Sequence, residues 1–153
     1  MKSAMLDKCQ ACAIPIIRIV LGIIFVMHGA HKIIGWEVAG LGGAGGLENT
    51  VAGMTAMGMP AVVVYMVAFG ELLGGIALIF GFLSRLAALG ILIIMLGAFF
   101  MVHLPNGFFL NWYGVEGVHH GFEFNLALIA MCLAVIFGGP GCCALDNKLC
   151  KKC

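Results

Sequence analysis

The sequence predicts an all-α protein: an integral-membrane bundle of four transmembrane helices with both termini cytoplasmic. Of its 153 residues, 63% are hydrophobic and only 10% are charged, whereas a soluble domain carries about 25% charged residues. The apolar residues form four blocks of about 17–23 residues, and each can cross about 30 Å of hydrocarbon at 1.5 Å per residue. We therefore expect a single domain over residues 1–153, surrounded by the lipid bilayer.

Proline and glycine mark the ends of the four blocks. Pro15 lies near the start of the first helix, Pro60 precedes the second, and Pro105 stops the third. The fourth stops at the Gly-Gly-Pro-Gly run of residues 138–141, because neither residue continues a helix well. The predicted spans are Ile14–Ile34, Ala61–Leu83, Leu86–His103 and Gly121–Phe137.

Lysine and arginine predict the orientation of the bundle. Seven of the eight basic residues fall on one side of a four-span bundle, and only Lys32 falls on the other. Basic residues are retained on the cytoplasmic side, so we expect both termini there. Arg18, one turn into the first span, is expected to snorkel to the surface or to pair with Asp146. The net charge of +1 argues against nucleic acid as a partner.

Two longer connections join the spans on the opposite, extracytoplasmic side. Residues 35–60 are glycine-rich at first and then predict a short interfacial helix, with Asn49 or Thr50 near its N-cap. Residues 105–120 are rich in the aromatic side chains that favour a membrane interface. These aromatic residues are Phe108, Phe109, Trp112 and Tyr113.

Ionisable groups within the apolar blocks predict the functional site. A charge in hydrocarbon costs roughly 2.5–3.5 kcal/mol even on the lenient insertion scale, so it seldom persists without a partner or a role. Glu71 lies near the bilayer middle, whereas His28 and Lys32 share one face near the outer end of the first helix. With His103 and Glu123 they would line one outward-facing pocket. We take Glu71 and His103 as candidate catalytic residues, and the other three as candidate cofactor-binding residues.

Several readings of this polar cluster stay open. Histidines beside a carboxyl in an apolar pocket suit a quinone, whose carbonyls need hydrogen-bond donors and whose reduction needs protons. The same groups are also ligands for a metal or a haem. In a purely structural reading, Lys32 snorkels and pairs with Glu123, or Glu71 pairs with Lys32 or a histidine. His119 and His120 are expected to be surface loop residues.

Cysteine pairs mark both cytoplasmic ends, residues 1–13 and 142–153. Cys9 and Cys12 form one Cys-x-x-Cys pair, and Cys150 and Cys153 form the other. Lasting disulfides are not expected in the cytoplasm. The two pairs are candidate ligands for zinc or a small iron–sulfur cluster; redox cycling, palmitoylation and no specific role stay open.

Six motifs in order along the chain resemble the DoxX family of small four-helix bacterial membrane proteins. Any one of them is weak, but the ordered set spans about Arg18 to Asp146. The motifs are Phe25-x-x-His28-Gly29-x-x-Lys32, Gly70-Glu71-Leu72-Leu73-Gly74-Gly75, Gly81-Phe82-Leu83-Ser84-Arg85-Leu86-Ala87-Ala88, His103-Leu104-Pro105-Asn106-Gly107-Phe108-Phe109, Gly121-Phe122-Glu123-Phe124-Asn125 and Gly139-Pro140-Gly141 with Leu145-Asp146.

The resemblance implies a bacterial inner-membrane protein that is, or belongs to, a quinone-linked oxidoreductase. DoxX proteins are similar to the membrane subunit of a thiosulfate:quinone oxidoreductase. Asn106, in the matching stretch after the third span, joins the candidate cofactor-binding residues, and a redox partner protein would supply electrons. The alternative is a non-catalytic scaffold or assembly partner of a redox complex. A proton pathway through Glu71 is a weaker third reading, and a homo-oligomer is left open.

Overall fold

The computed structural model is all-helical over residues 2–35 and 45–149, the parts of the chain that it describes, with side chains described from residue 12 onward. No strand occurs within these ranges. A π-helical turn, Phe99–His103, and a 3-10 turn, Leu104–Asn106, continue the helix Ser84–Ala98. The helices are α1 (Lys2–Ile34), α2 (Leu47–Ala56), α3 (Ala61–Phe80), α4 (Ser84–Ala98), α5 (Glu123–Gly138) and α6 (Leu145–Leu149).

Four of these helices form a ring in the order α1, α3, α4, α5. Both α1 and α4 pack against α3 and α5, so α3 and α5 lie diagonally opposite each other. Three segments, Cys12–Ile34, Ala61–Phe80 and Ser84–Asn106, are long and apolar enough to span a membrane, and α5 is a shorter apolar helix of 16 residues. Large apolar side chains cover the outside of the ring, as expected where lipid is the solvent. The predicted all-α membrane bundle is confirmed.

Glycines bring the backbones of α1 and α3 into direct contact. A Cβ atom at Gly29 would lie 2.5 Å from the Leu72 nitrogen, and one at Gly75 would lie 2.6 Å from the Val26 nitrogen. Small residues at helix interfaces allow such close approach in membranes, where packing replaces the hydrophobic effect between helices. This contact fixes α1 against the middle of α3.

The observed helix ends differ from the predicted ends. α1 begins at Lys2, not Ile14, so Pro15 lies inside it, and α4 begins at Ser84, not Leu86. Two other ends differ for local reasons. α3 stops at Phe80, not Leu83, because Gly81 and Leu83 adopt left-handed conformations with φ of 69° and 47°. α5 begins at Glu123, not Gly121, because the amide of Gly121 donates to the Phe109 carbonyl at 3.0 Å. That hydrogen bond belongs to a hairpin-like connection which hydropathy does not reveal.

The short interfacial helix exists as α2, but its predicted N-cap is wrong. The cap residue is Gly46, with φ of 98°. Asn49 lies in the first turn and donates its side-chain amide to the Gly45 carbonyl at 3.1 Å. Thr50 instead donates its hydroxyl to the Lys32 carbonyl at 3.1 Å. The Thr50 bond connects α2 to the end of α1.

The ring has two ends. We call the end where residues 81–83 join α3 to α4 the turn end. We call the end that carries α2 and residues 107–122 the loop end. At the turn end Arg18 is fully buried, so the expectation that it snorkels is wrong. Its guanidinium donates to the carbonyls of Leu78, Ile79 (3.2 Å) and Cys143 (3.4 Å). Arg18 thus adds hydrogen bonds to carbonyls in the last turn of α3, where the helix supplies few donors, and ties that turn to the chain after α5.

Asp146 holds the start of α4 from the opposite side of the turn end. Its carboxylate accepts hydrogen bonds from the amides of Leu83 (2.6 Å) and Ser84 (2.9 Å), as a distant N-cap. Asp146 lies outside the membrane-spanning segments. Burial opposes its ionisation, but the hydrogen bonds from Ser84 and Leu83 and the nearby Arg18 charge outweigh burial and hold the pKa of the carboxyl below its usual value.

We expect Asp146→Asn to lower the free energy of unfolding at neutral pH by about 1 kcal/mol, as loss of a good N-cap does. Because the folded-state pKa lies below 3.8, the value of an unperturbed aspartate, the carboxylate stabilises the fold fully above that value. Its contribution is lost as pH falls through the lowered folded pKa. Detergent unfolding titrations at several pH values should show a weaker acid dependence for Asp146→Asn than for wild type or the loop control Glu116→Gln. Equal acid dependence in all three would contradict this.

Candidate functional site

A cavity of about 1220 Å³ lies inside the ring, toward the loop end. All four ring helices contribute to its wall, and α2 and the 107–122 connection cover it. Between α3 and α4 it continues toward the turn end as far as Gly74 and Ala87. The wall is mostly apolar with a few polar groups, which is the usual composition of a small-molecule site.

The cavity opens sideways between α3 and α4. Met66 on α3 and Ile93 on α4 line it, and both are also more than half exposed. Gly90 and Gly97 line the same region, and a Cβ atom at either would meet nothing within 4 Å. These small residues widen the cavity between α3 and α4, so we infer that it opens on this side of the ring.

The Lys32–Glu71 ion pair is the charged centre of the cavity wall. The Lys32 ammonium donates a hydrogen bond to Glu71 Oε2. The Glu71 side chain is only 4% exposed, whereas that of Lys32 is 21% exposed. Of the structural readings of the sequence, the pairing of Glu71 with Lys32 is therefore the one observed. Glu123, the other suggested partner of Lys32, instead accepts a hydrogen bond from the Leu110 amide at 3.3 Å.

Histidines and an asparagine form the rim of the cavity at the loop end. His103 Nδ1 lies 3.1 Å from the His120 carbonyl oxygen. The backbone amide of Asn111 donates a hydrogen bond to His120 Nδ1 at 3.2 Å. The Asn111 side chain organises the connection by donating to the carbonyls of Val115 (2.8 Å) and Val118 (2.9 Å). His120, expected to be a surface loop residue, is exposed but also lines the cavity.

The structure brings four of the six predicted pocket residues into one wall. Glu71, Lys32, His28 and His103 line the cavity. Glu123 and Asn106 do not: Glu123 supports the 107–122 connection, and the Asn106 side chain donates to the Val102 carbonyl at 2.8 Å.

The predicted cysteine site falls largely outside the described part of the chain. The Cys9 side chain, Cys150 and Cys153 lie outside it, and Cys12 is exposed at the start of the span. Within the described residues, no group of three or more His, Cys, Asp or Glu side chains is placed to hold a metal ion. The zinc or iron–sulfur assignment stays a prediction.

Asn125 is a cavity residue that the sequence argument passed over. It lies in the first turn of α5, is 4% exposed and lines the cavity. In the sequence, Asn125 is the last residue of the motif that begins at Gly121. The signal that could have found it is the rule used for Glu71, since a polar side chain in an apolar span is a candidate for function.

These features define the class of the protein: a membrane-embedded helical ring around a laterally open cavity with a buried ion pair. Its family follows from the sequence. The DoxX family model matches residues 13–104, which include α1 from residue 13 onward, α3, α4 and the Lys32–Glu71 pair. The chain belongs to the DoxX family.

Curated relatives cover nearly the whole chain. An uncharacterised protein of Haemophilus influenzae is 32% identical over 96% of this chain and 98% of its own length. The inner membrane protein YqjF of Escherichia coli is 32% identical over 96% and 99%. CatD of Bacillus subtilis, described as a candidate oxidoreductase, is 27% identical over 86% and 82%. No solved structure matches the chain.

Removal of one member of the ion pair should destabilise the protein strongly. We expect Glu71→Gln or Lys32→Met alone to lower the free energy of unfolding by about 3–5 kcal/mol if an uncompensated charge is left buried. The double variant should recover much of this loss, so the coupling energy should be at least as large as one single loss, about 3 kcal/mol or more. Unfolding titrations in mixed detergent micelles measure the free energy of unfolding of the wild type, of each single variant and of the double variant. Strictly additive losses would show that the two side chains are not coupled.

Proposed function

We propose that this DoxX protein binds a quinone in the cavity and acts as the membrane subunit of, or as a small, quinone-linked oxidoreductase. The observation that carries the proposal is the lateral opening of an apolar cavity toward lipid, with the Lys32–Glu71 pair in its wall. A quinone is dissolved in the bilayer, so its site needs such an entrance. The cavity exceeds the range of about 300–1,000 Å³ of common ligand pockets, which leaves room for a ring and part of an isoprenoid tail.

The polar groups of the wall suit the two states of such a ligand. A quinone takes up two electrons and two protons on conversion to the quinol. The Lys32 ammonium can donate a hydrogen bond to a carbonyl oxygen, since an ammonium group carries three donors. Glu71 would hold or release a proton beside that oxygen, and His103 at the rim would exchange protons with water. His28 completes the same wall.

Electrons would come from a reduced cofactor of a partner protein. The described part of the chain offers no cluster of metal ligands, and the terminal cysteine pairs stay candidates for a zinc or iron–sulfur site. CatD, described as a candidate oxidoreductase, supports redox chemistry in this family. The inner-membrane description of YqjF supports the same membrane for this protein.

A non-catalytic scaffold is the second candidate, and one observation favours it. The Lys32–Glu71 pair satisfies its charges internally, as a purely structural pair would. In that case the cavity has no ligand of its own, and the protein serves the assembly of a redox complex.

Quinone binding separates these two candidates. We expect detergent-purified protein to bind menaquinone or ubiquinone saturably, and Glu71→Gln and His103→Ala to weaken binding about tenfold or more each, because each removes a polar contact in a desolvated site. Glu116→Gln and His119→Ala are matched controls, since both residues are exposed in the connection and neither lines the cavity. Quenching of intrinsic fluorescence by the quinone measures affinity.

Two results would contradict the proposal. Well-folded wild-type protein without saturable binding would remove the quinone and favour the scaffold. Binding that survives in folded Glu71→Gln and His103→Ala would place the ligand elsewhere.

We further propose that both termini are cytoplasmic, from the lysine and arginine distribution. In an otherwise cysteine-free chain, Tyr113→Cys at the loop end should react with a membrane-impermeant maleimide in intact spheroplasts. A chain that retains only Cys143, at the turn end, should react only after lysis. Tyr113 is 94% exposed and Cys143 is exposed, so access to the thiol itself does not limit either reaction. The reverse labelling pattern would invert the topology.

A further inference from the structure

Asn125 carries a buried acceptor with no partner. Its side chain is in the wall of the cavity and is 96% buried, with an exposed fraction of 4%. The amide nitrogen lies 3.6 Å from the Met95 sulfur, a weak acceptor, and the amide oxygen has no hydrogen-bond partner among the described residues. Buried polar groups in native proteins are nearly always hydrogen-bonded, so such an oxygen calls for an explanation.

Asn125 lies at a depth in the ring comparable to that of the ion pair, on the diagonally opposite helix from Glu71. Its neighbour Met95 lies at the middle of the span Ser84–Asn106, and Glu71 lies at the middle of α3. The two side chains therefore line one cavity at comparable depth. They come from α5 and α3, which are the diagonal helices of the ring. A ligand between these helices would have the ion pair toward one edge and Asn125 toward the other.

An amide is suited to a ligand that changes between carbonyl and hydroxyl. It carries a donor group and an acceptor group, which exchange places when the amide plane turns by half a rotation. It can therefore donate to a carbonyl oxygen or accept from a hydroxyl. The weak contact with the Met95 sulfur is a small barrier to that rotation.

We propose that Asn125 is the second polar anchor of the cavity, which binds a flat apolar ligand with an oxygen at each end. One oxygen lies at the Lys32–Glu71 pair and the other at Asn125, as the two oxygens of a para-quinone or its quinol require. This inference rests on the proposed function and assigns its ligand a binding mode across the ring. It makes Asn125 a binding residue that distinguishes a dicarbonyl from a monocarbonyl.

The test compares a probe that carries two carbonyls with a probe that carries one. The first is a 2-alkyl-1,4-naphthoquinone, and the second is the matching 1-tetralone, which keeps one carbonyl and has a methylene group of its partly saturated ring in place of the other. We expect wild-type protein to prefer the dicarbonyl. Asn125→Leu, similar in size but without hydrogen-bonding groups, should bind the dicarbonyl about tenfold or more weakly and the monocarbonyl as wild type does. The preference should therefore collapse.

The control is Cys132→Ala on the same helix. Cys132 lies seven residues after Asn125, is fully buried and does not line the cavity, so this variant should keep the wild-type preference. Asn125→Leu should also unfold at no lower temperature than wild type without ligand, because it removes an unsatisfied polar group. If Asn125→Leu does not fold, Asn125→Ala provides the same comparison.

The outcomes separate the two proposals. Wild-type protein that binds the dicarbonyl, together with an Asn125→Leu variant that keeps the full preference, overturns the role of Asn125 and leaves the quinone site standing. Wild-type protein that binds neither probe overturns the proposed function and this inference with it. A preference that also collapses in Cys132→Ala shows a general effect of α5 packing and likewise overturns the assignment to Asn125.

Discussion

The ion pair between Lys32 and Glu71 is the interaction on which the inner arrangement of the bundle depends. A carboxyl at the middle of α3 is costly in hydrocarbon unless a cation reaches it. Lys32 reaches it because Gly29 and Gly75 let α1 lie directly on the backbone of α3. A Cβ atom at either glycine would push the helices apart. The glycines and the pair therefore form one unit, in which close packing provides the geometry and charge pairing offsets desolvation.

The side chains at the turn end of the ring hold the helices together. At the turn end Arg18 satisfies the last carbonyls of α3, and Asp146 satisfies the first amides of α4. These bonds join α1, the 81–83 turn and the chain after α5, and the apolar core runs from there along the ring to the wall of the cavity. The core residues are Leu21, Phe25, Leu78, Ala88, Ile91, Met95, Leu128, Cys132 and Val135. A second pocket between α3 and α4 at the turn end is lined by apolar residues alone, which argues against a continuous proton path through the protein.

Hydropathy and charge predict the fold well because the bilayer leaves few alternatives to a helix bundle. Glu71 was predictable for the same reason, since nothing else in its span is charged. Arg18 was not, because its partners are carbonyls of α3, and only the packed ring brings them within reach. Asn125 was overlooked because it lies near Glu123 at the start of its block, where polar residues look interfacial. The shortened start of α5 depends on hydrogen bonds to residues 107–109, which no local pattern encodes.

The polar groups lie in two parts of the cavity, an exposed rim and a buried interior. His103, His120 and Asn111 hold the loop-end rim, and His120 is exposed there. Deeper in the ring, Asn125 and Glu71 are each almost fully buried. A buried charge that served packing alone would need only its counter-ion, and Lys32 provides that. The Asn125 amide oxygen has no such partner in the part of the chain that the structure describes, and replacement by leucine would remove only the weak contact with the Met95 sulfur. An unpaired acceptor in the same cavity as an already neutralised pair is therefore better explained by what the cavity binds than by how the helices pack.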